Sequence, residues 1–329
     1  MKQLGNNRKN LTFALAALVL ACGLLFARTA SAAAIRTLSF NGPTEAFDYM
    51  VKNLRSLNAR HEMDEIFGED AVEILGVEPL DGGTGLEAFL EAYGEYHAVE
   101  VHDGNEAYLA VGRNLWVFPV PVVMRDGKWQ FDTEKGLREL NARRIGRNER
   151  FAIQASLAYV DAQRDYFEMN PMRVQGSEYA QHITSHPGRH DGLYWAAAGG
   201  GRNRSPLGKA FAQAAVDKEQ ERAMETSKSH GGYHYKILHM QGPGAVGGAR
   251  SYVENDRMTG GFALLAYPSV YNKTGVMSFI VNQDGLIYEK NLGRETEKLA
   301  QAMTAYDPDR TWKLVSKIHT ERRPEPVKK

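Results

Sequence analysis

His182, His186 and His190 stand four residues apart, a spacing that on a helix lines one face in the way metal ligands do. Pro187-Gly188 interrupts any such helix, and no carboxylate lies between the histidines at a useful offset. A solvated histidine loop without metal is therefore expected. His230 and His234 flank Gly231-Gly232 and fit a turn and a strand start. Zinc would require the two histidine groups to converge in space. His61-Glu62-Met63-Asp64-Glu65 lacks the second histidine of a zinc-protease helix, and neither a Gly-x-Ser-x-Gly elbow nor a Ser-x-x-Lys pair occurs. Gly242-Pro243-Gly244-Ala245-Val246-Gly247 spells a dinucleotide fingerprint. Ala249 to Val253 after it reads as a strand, where a pyrophosphate site needs a helix N-terminus, so a loop between strands is expected.

Two clusters are candidates for binding. Arg143, Arg144 and Arg147 can grip an anion through paired N–H donors, or they can pair with Glu149 or Asp161 and fix a domain junction; the structural role is the simpler expectation. Asp191, Tyr194 and Trp195 join a carboxylate to two amphipathic aromatics beside Gly199-Gly200-Gly201. That composition suits a sugar- or peptide-binding cleft and equally a core corner.

Two domains of α+β class are expected to position these residues. Residues 33–147 form a small domain, with helices at Pro43 to Arg60 and Gly85 to Tyr96. Strands follow at Ala107 to Val111, Leu115 to Met124 and Trp129 to Phe131, with Arg125-Asp126-Gly127-Lys128 as a hairpin turn. Pro119 and Pro121 argue for an edge or a bulge in the middle strand. This pattern resembles the curved, cone-like sheets of nuclear-transport-factor-2-like and cystatin-like folds.

Residues 148–320 form a second domain: a long helix from Glu149 to about Phe167 capped by Asn148, a helix over Leu207 to Met224, and an antiparallel meander. The meander strands are Tyr233 to Met240, Arg250 to Val253, Gly261 to Tyr267, Val276 to Asn282 and Leu286 to Lys290. A closing helix runs from Glu295 to Tyr306, and 321–329 is a charged tail. Long helix plus meander resembles the globular half of type IV pilins and pseudopilins.

The first 32 residues read as a cleaved secretory signal. Lys2, Arg8 and Lys9 precede an apolar stretch from Leu11 to Ala27, and Ala30-Ser31-Ala32 supplies a cleavage site. The single cysteine, Cys22, lies within it, in a loose likeness of a lipoprotein box that lacks the polar tether after it. Cleavage after Ala32 leaves a chain without cysteine, which removes disulfides, thiolate metal sites and cysteine nucleophiles together. It also leaves 36 basic against 40 acidic residues, a net charge of −4 with no basic stripe for nucleic acid.

Many stretches together resemble the bacterial exported family known as domain of unknown function 2950. They include Phe118-Pro119-Val120-Pro121, the run Arg143 to Glu149, the run Ala158 to Arg164, and Glu178-Tyr179-Ala180-Gln181. Asp191-Gly192-Leu193-Tyr194-Trp195, Gly260 to Leu264 and Phe279 to Gly285 continue the match. The resemblance implies export and hands over no catalytic residue. Members often carry an aspartate- and glycine-rich, calcium-like loop before Glu178. Here Glu168 to Gly176 offers too few oxygen ligands, and Arg173 opposes a cation.

The functional expectation is a periplasmic or extracellular binding or assembly module with an envelope protein or glycan as partner. No cofactor, no nucleic acid and no stable membrane span after processing are expected. The alternative is a cofactor-independent hydrolase of envelope polymers that uses Asp191 with a nearby acid or tyrosine.

Overall fold

The computed structural model describes residues 38–56, 59–71, 74, 85–196, 204–208 and 231–315. The expected signal segment with Cys22, the Gly199-Gly200-Gly201 loop, His230, most of the Leu207 to Met224 helix and the 321–329 tail lie outside them. The chain divides into two compact units, Met1–Leu137 and Arg138–Lys329. Helices combine with several mainly antiparallel sheets in a mixed α+β architecture.

In the first unit, α1 (Pro43–Leu54) begins with proline at its first position and turns Ala46, Phe47, Met50, Val51 and Leu54 inward. Helices α2 (Ala59–Phe67) and α3 (Gly85–Glu95) follow. The sheet comprises β1 (His97–His102), β2 (Glu106–Val111), β3 (Trp116–Val117), β4 (Val122–Arg125) and β5 (Lys128–Phe131), in the order β1-β2-β4-β5 with β3 also on β2. Pro119 and Pro121 fall between β3 and β4, where the expected single strand is interrupted because proline has no N–H for the ladder. Arg125 pairs with Lys128 across the two-residue Asp126-Gly127 turn. Phe131 anchors the core, edge-on to Phe47 at 5.6 Å and to Phe67 at 5.2 Å. Tyr93 is buried and donates to Asp48 at 2.8 Å; burial first, and then this bond, push its hydroxyl up to about 12.

The next helix, α4 (Thr133–Met169), is 37 residues long. It starts fifteen residues before the expected cap at Asn148. Asp132 is the cap: its Oδ1 accepts the Lys135 N–H at 3.0 Å. Asn148 lies inside the helix, where its amide donates to the Thr274 carbonyl at 2.8 Å. Beside it, Glu149 Oε1 accepts the N–H groups of Val276 and Met277 at 2.9 and 3.0 Å. Within the first unit α4 passes close to Val120, and a Cβ on Gly136 would lie 2.5 Å from a Val120 methyl.

In the second unit, β6 (His182–Thr184) and β7 (Gly192–Tyr194) pair in parallel, and the short β11 (Val253–Glu254) and β12 (Arg257–Met258) form a hairpin. The main sheet contains β8 (Tyr233–Leu238), β13 (Ala263–Pro268), β14 (Met277–Asn282), β15 (Ile287–Asn291) and β17 (Lys313–Leu314), ordered β17-β15-β14-β13-β8. All six residues of β13 are buried. Because strand side chains alternate, both faces of the sheet are covered at this strand. Tyr159 of α4 meets Phe262 edge-on at 5.7 Å, and its hydroxyl reaches the Ala263 carbonyl. The expected Glu295 to Tyr306 helix is shorter, α5 (Thr296–Ala302). After it, β16 (Ala305–Tyr306) runs parallel to β9 (Met240–Gln241), which also pairs with β10 (Arg250–Ser251). No helix of the described residues is long and apolar enough to cross a membrane.

Candidate functional site

Residues 179–190 are held to α4 by side chains in its last turns. Gln163 is fully buried; its Nε2 donates to the Ala180 carbonyl and to the Tyr159 hydroxyl, and its Oε1 accepts the Ala180 N–H at 2.8 Å. Phe167 stacks on Tyr179 at 4.8 Å, and Tyr166 donates its hydroxyl to the His190 carbonyl at 2.7 Å. Burial, followed by the negative charges of Glu178 and Asp191, raises the Tyr166 hydroxyl well above the ordinary tyrosine range. Glu178 in turn receives Arg257 at 2.8 Å.

Ser185 to Asp191 then fold back on themselves. The Arg189 N–H reaches the His186 carbonyl across Pro187-Gly188, with Gly188 at φ +77°, a sign that glycine tolerates without strain. Ser185 donates its N–H to the Tyr194 carbonyl, and its hydroxyl accepts the Gly192 N–H at 2.9 Å. The strands approach so closely that a Cβ on Gly192 would lie 2.6 Å from the Ser185 nitrogen and 3.0 Å from the His182 oxygen.

This turn brings His182, His186 and Asp191 together. One potential ligand atom from each lies within 4.8 Å of the others. Asp191 Oδ1 accepts the His186 backbone N–H and Oδ2 lies against His186 Nδ1, each at 2.9 Å. The rings of His182 and His186 meet edge-on with centroids 4.8 Å apart. Partial burial works to raise the Asp191 carboxyl. The backbone and ring hydrogen bonds from His186, with the charges of His186 and His182, outweigh it and hold the carboxyl below the ordinary range. Arg189 stands at the rim, its Nη1 4.0 Å from Asp191 Oδ2.

Trp195 is buried in the main core of the unit, with the His190 ring stacked on it at 4.5 Å. Tyr194 is half-buried and packs against the same core. A cavity of about 520 Å³ lies beside β7, lined by Asp165, Met169, Arg204, Ser205, Pro206 and Leu207, and the Leu207 N–H bonds the Leu193 carbonyl. The arginines stand elsewhere. Arg143 pairs with Glu139 at 2.7 Å, while Arg144 and Arg147 occupy the same stretch of α4. Nineteen residues separate Arg147 from Tyr166, about 28 Å along a helix axis, so the two clusters do not form one site. Of the partners expected for these arginines, Glu149 holds the start of β14, and Asp161 has Arg164 at 3.7 Å.

His234 lies on β8 with its ring against Tyr267 and is not part of the histidine group. The fingerprint-like glycines form a loop between β9 and β10, in which Gly244 N–H binds Asp307 at 2.7 Å. In the segment 168–176 the Asn170 side chain donates to the Val174 carbonyl and accepts its N–H. The contribution of Asp191 to the histidine group has one signal in the sequence: it follows a Pro-Gly turn that reverses the chain onto His186.

The chain belongs to the family described as Protein of unknown function (DUF2950), whose model matches residues 37–315. No curated protein and no solved structure matches the chain.

Proposed function

We propose that this is an exported envelope protein, periplasmic or extracellular, whose work is binding or assembly without covalent chemistry. The observation that carries the reading is the state of Asp191, the carboxylate on which a hydrolase would depend. Both of its oxygens are engaged by His186, and its carboxyl is held low, whereas a general acid at neutral pH needs a raised one. Burial of Trp195 in the core removes an aromatic wall from any sugar cleft there, for glycan binding and glycan hydrolysis alike.

On this reading the meander of the second unit is a pilin-like scaffold, and the first unit is a cone-like α+β module. The partner is an envelope protein or a glycan, met through surfaces such as the 520 Å³ cavity beside β7. The test pairs two measurements. Mass spectrometry of the secreted protein should find a chain starting near Ala33. A screen against peptidoglycan and soluble glycans should find no hydrolysis by the parent. Hydrolysis that Asp191→Asn abolishes would replace this reading with the hydrolase.

A further inference from the structure

The two imidazoles and one carboxylate gathered by the Pro187-Gly188 turn go beyond the scaffold reading and do not depend on it. We propose that His182, His186 and Asp191 bind one divalent transition-metal ion, zinc foremost, leaving a fourth position open to water or to a partner's ligand.

The donor set selects the metal class. Two imidazole nitrogens with one carboxylate oxygen suit zinc, copper, nickel or iron, while calcium and magnesium require a shell of oxygens. The geometry is close to what zinc needs. Bonds of about 2.0 Å in a tetrahedron put ligand atoms about 3.3 Å apart. His186 Nδ1 and Asp191 Oδ2 are 2.9 Å apart, and the whole set lies within 4.8 Å. Both histidines are exposed, so side-chain rotation alone closes the remaining gap.

The carboxylate is already oriented. Asp191 Oδ1 is fixed by the His186 backbone N–H, leaving Oδ2 as the metal-facing atom, and this outer hydrogen bond is of the type that aligns metal-ligating carboxylates. The backbone beneath is clamped by Ser185 and Gly192 and tied to α4 through Tyr166 and His190. On binding, His186 takes the tautomer with its one N–H on Nε2, which frees the Nδ1 lone pair, and the ion sits between Nδ1 and Asp191 Oδ2. Arg189 opposes the ion electrostatically. Its side chain is 69% exposed and reaches Asp191 only at 4.0 Å, so it can swing away at small cost.

The test is isothermal titration of the metal-stripped mature protein with Zn²⁺ at neutral pH, with Ca²⁺ as comparator and Co²⁺ as a spectroscopic probe. One zinc per chain is expected, with a raised melting temperature and visible Co²⁺ bands of a nitrogen- and oxygen-ligated ion. His182→Ala, an exposed change that leaves the Asp191–His186 contact in place, should weaken zinc binding about tenfold or more. Arg189→Gln should tighten it. Absence of zinc binding, binding indifferent to His182→Ala in a variant with parental circular dichroism, or calcium bound as tightly as zinc would each overturn the proposal.

Discussion

Trp195→Ala separates a residue that holds the fold from one that meets a ligand. The indole is only 6% exposed and belongs to the core of the second unit, where His190 stacks on it with planes 28° apart. Truncating a buried tryptophan removes its transfer free energy and leaves a cavity, together roughly 3–5 kcal/mol. Loss of the ring stack falls within that range and does not add a separate term, because the same atoms are deleted. Against a domain stability of about 5–15 kcal/mol this is a large fraction. For a unit of this size it corresponds to a fall in melting temperature on the order of 10 °C. Equilibrium urea denaturation followed by far-ultraviolet circular dichroism reads the loss directly. A Trp195→Ala protein within about 1 kcal/mol of the parent would refute the core assignment, since surface changes fall in that range.

Four further substitutions probe other points. The Asp191 carboxyl is depressed in the folded state, so its contribution to stability is present above its unfolded pKa and lost as pH falls through the folded one. Unfolding midpoints of the parent and Asp191→Asn should therefore converge in acid, and a gap that widens on acidification would contradict the assignment. Gly136→Ala should destabilise by about 1–3 kcal/mol despite the better helix propensity of alanine, because of the Val120 contact. Gly146→Ala, where the nearest atom is Arg150 Nη1 at 3.6 Å, should instead gain about 0.5–1 kcal/mol, and melting temperatures of the pair read both signs. Gln163→Leu leaves the Ala180 N–H and carbonyl buried without their partner, at about 1–3 kcal/mol each. Some of this is offset by the apolar side chain, so a net loss of about 2–4 kcal/mol is expected in urea titrations.

What the sequence revealed follows from where local chemistry decides. Asp126-Gly127 between apolar strands announced its hairpin, while Pro119 and Pro121 argue for an edge or a bulge in one strand where the chain breaks into β3 and β4. The apolar positions of α1 repeat at helical spacing because one face of it is buried. Strand β1 escaped notice because its residues are exposed or half-exposed, so no buried face imprints an alternation. The first half of α4 escaped for the same reason: from Asn141 to Phe151 its side chains are exposed or half-exposed and carry no apolar stripe. Its true start is written in Asp132, a cap that follows a strand directly. At the site, Pro187-Gly188 was legible as a helix breaker. Its effect in space depends on the parallel pairing of β6 with β7 and on the close approach at Gly192. Both are tertiary contacts that no local pattern records.

Gln163 has a kinetic consequence. A residue held through both its N–H and its carbonyl by one buried side-chain amide exchanges its amide hydrogen only when that side chain lets go. The amide sits on α4 against Tyr159, at the centre of the core, so release means opening the core itself. The Ala180 amide should therefore exchange at the slow rate of global unfolding, in step with the centre of β13, although it belongs to an irregular connection. Loop and core open as one cooperative unit, and a protease that needs slack chain would find none at this end of the 179–195 segment without unfolding the unit first.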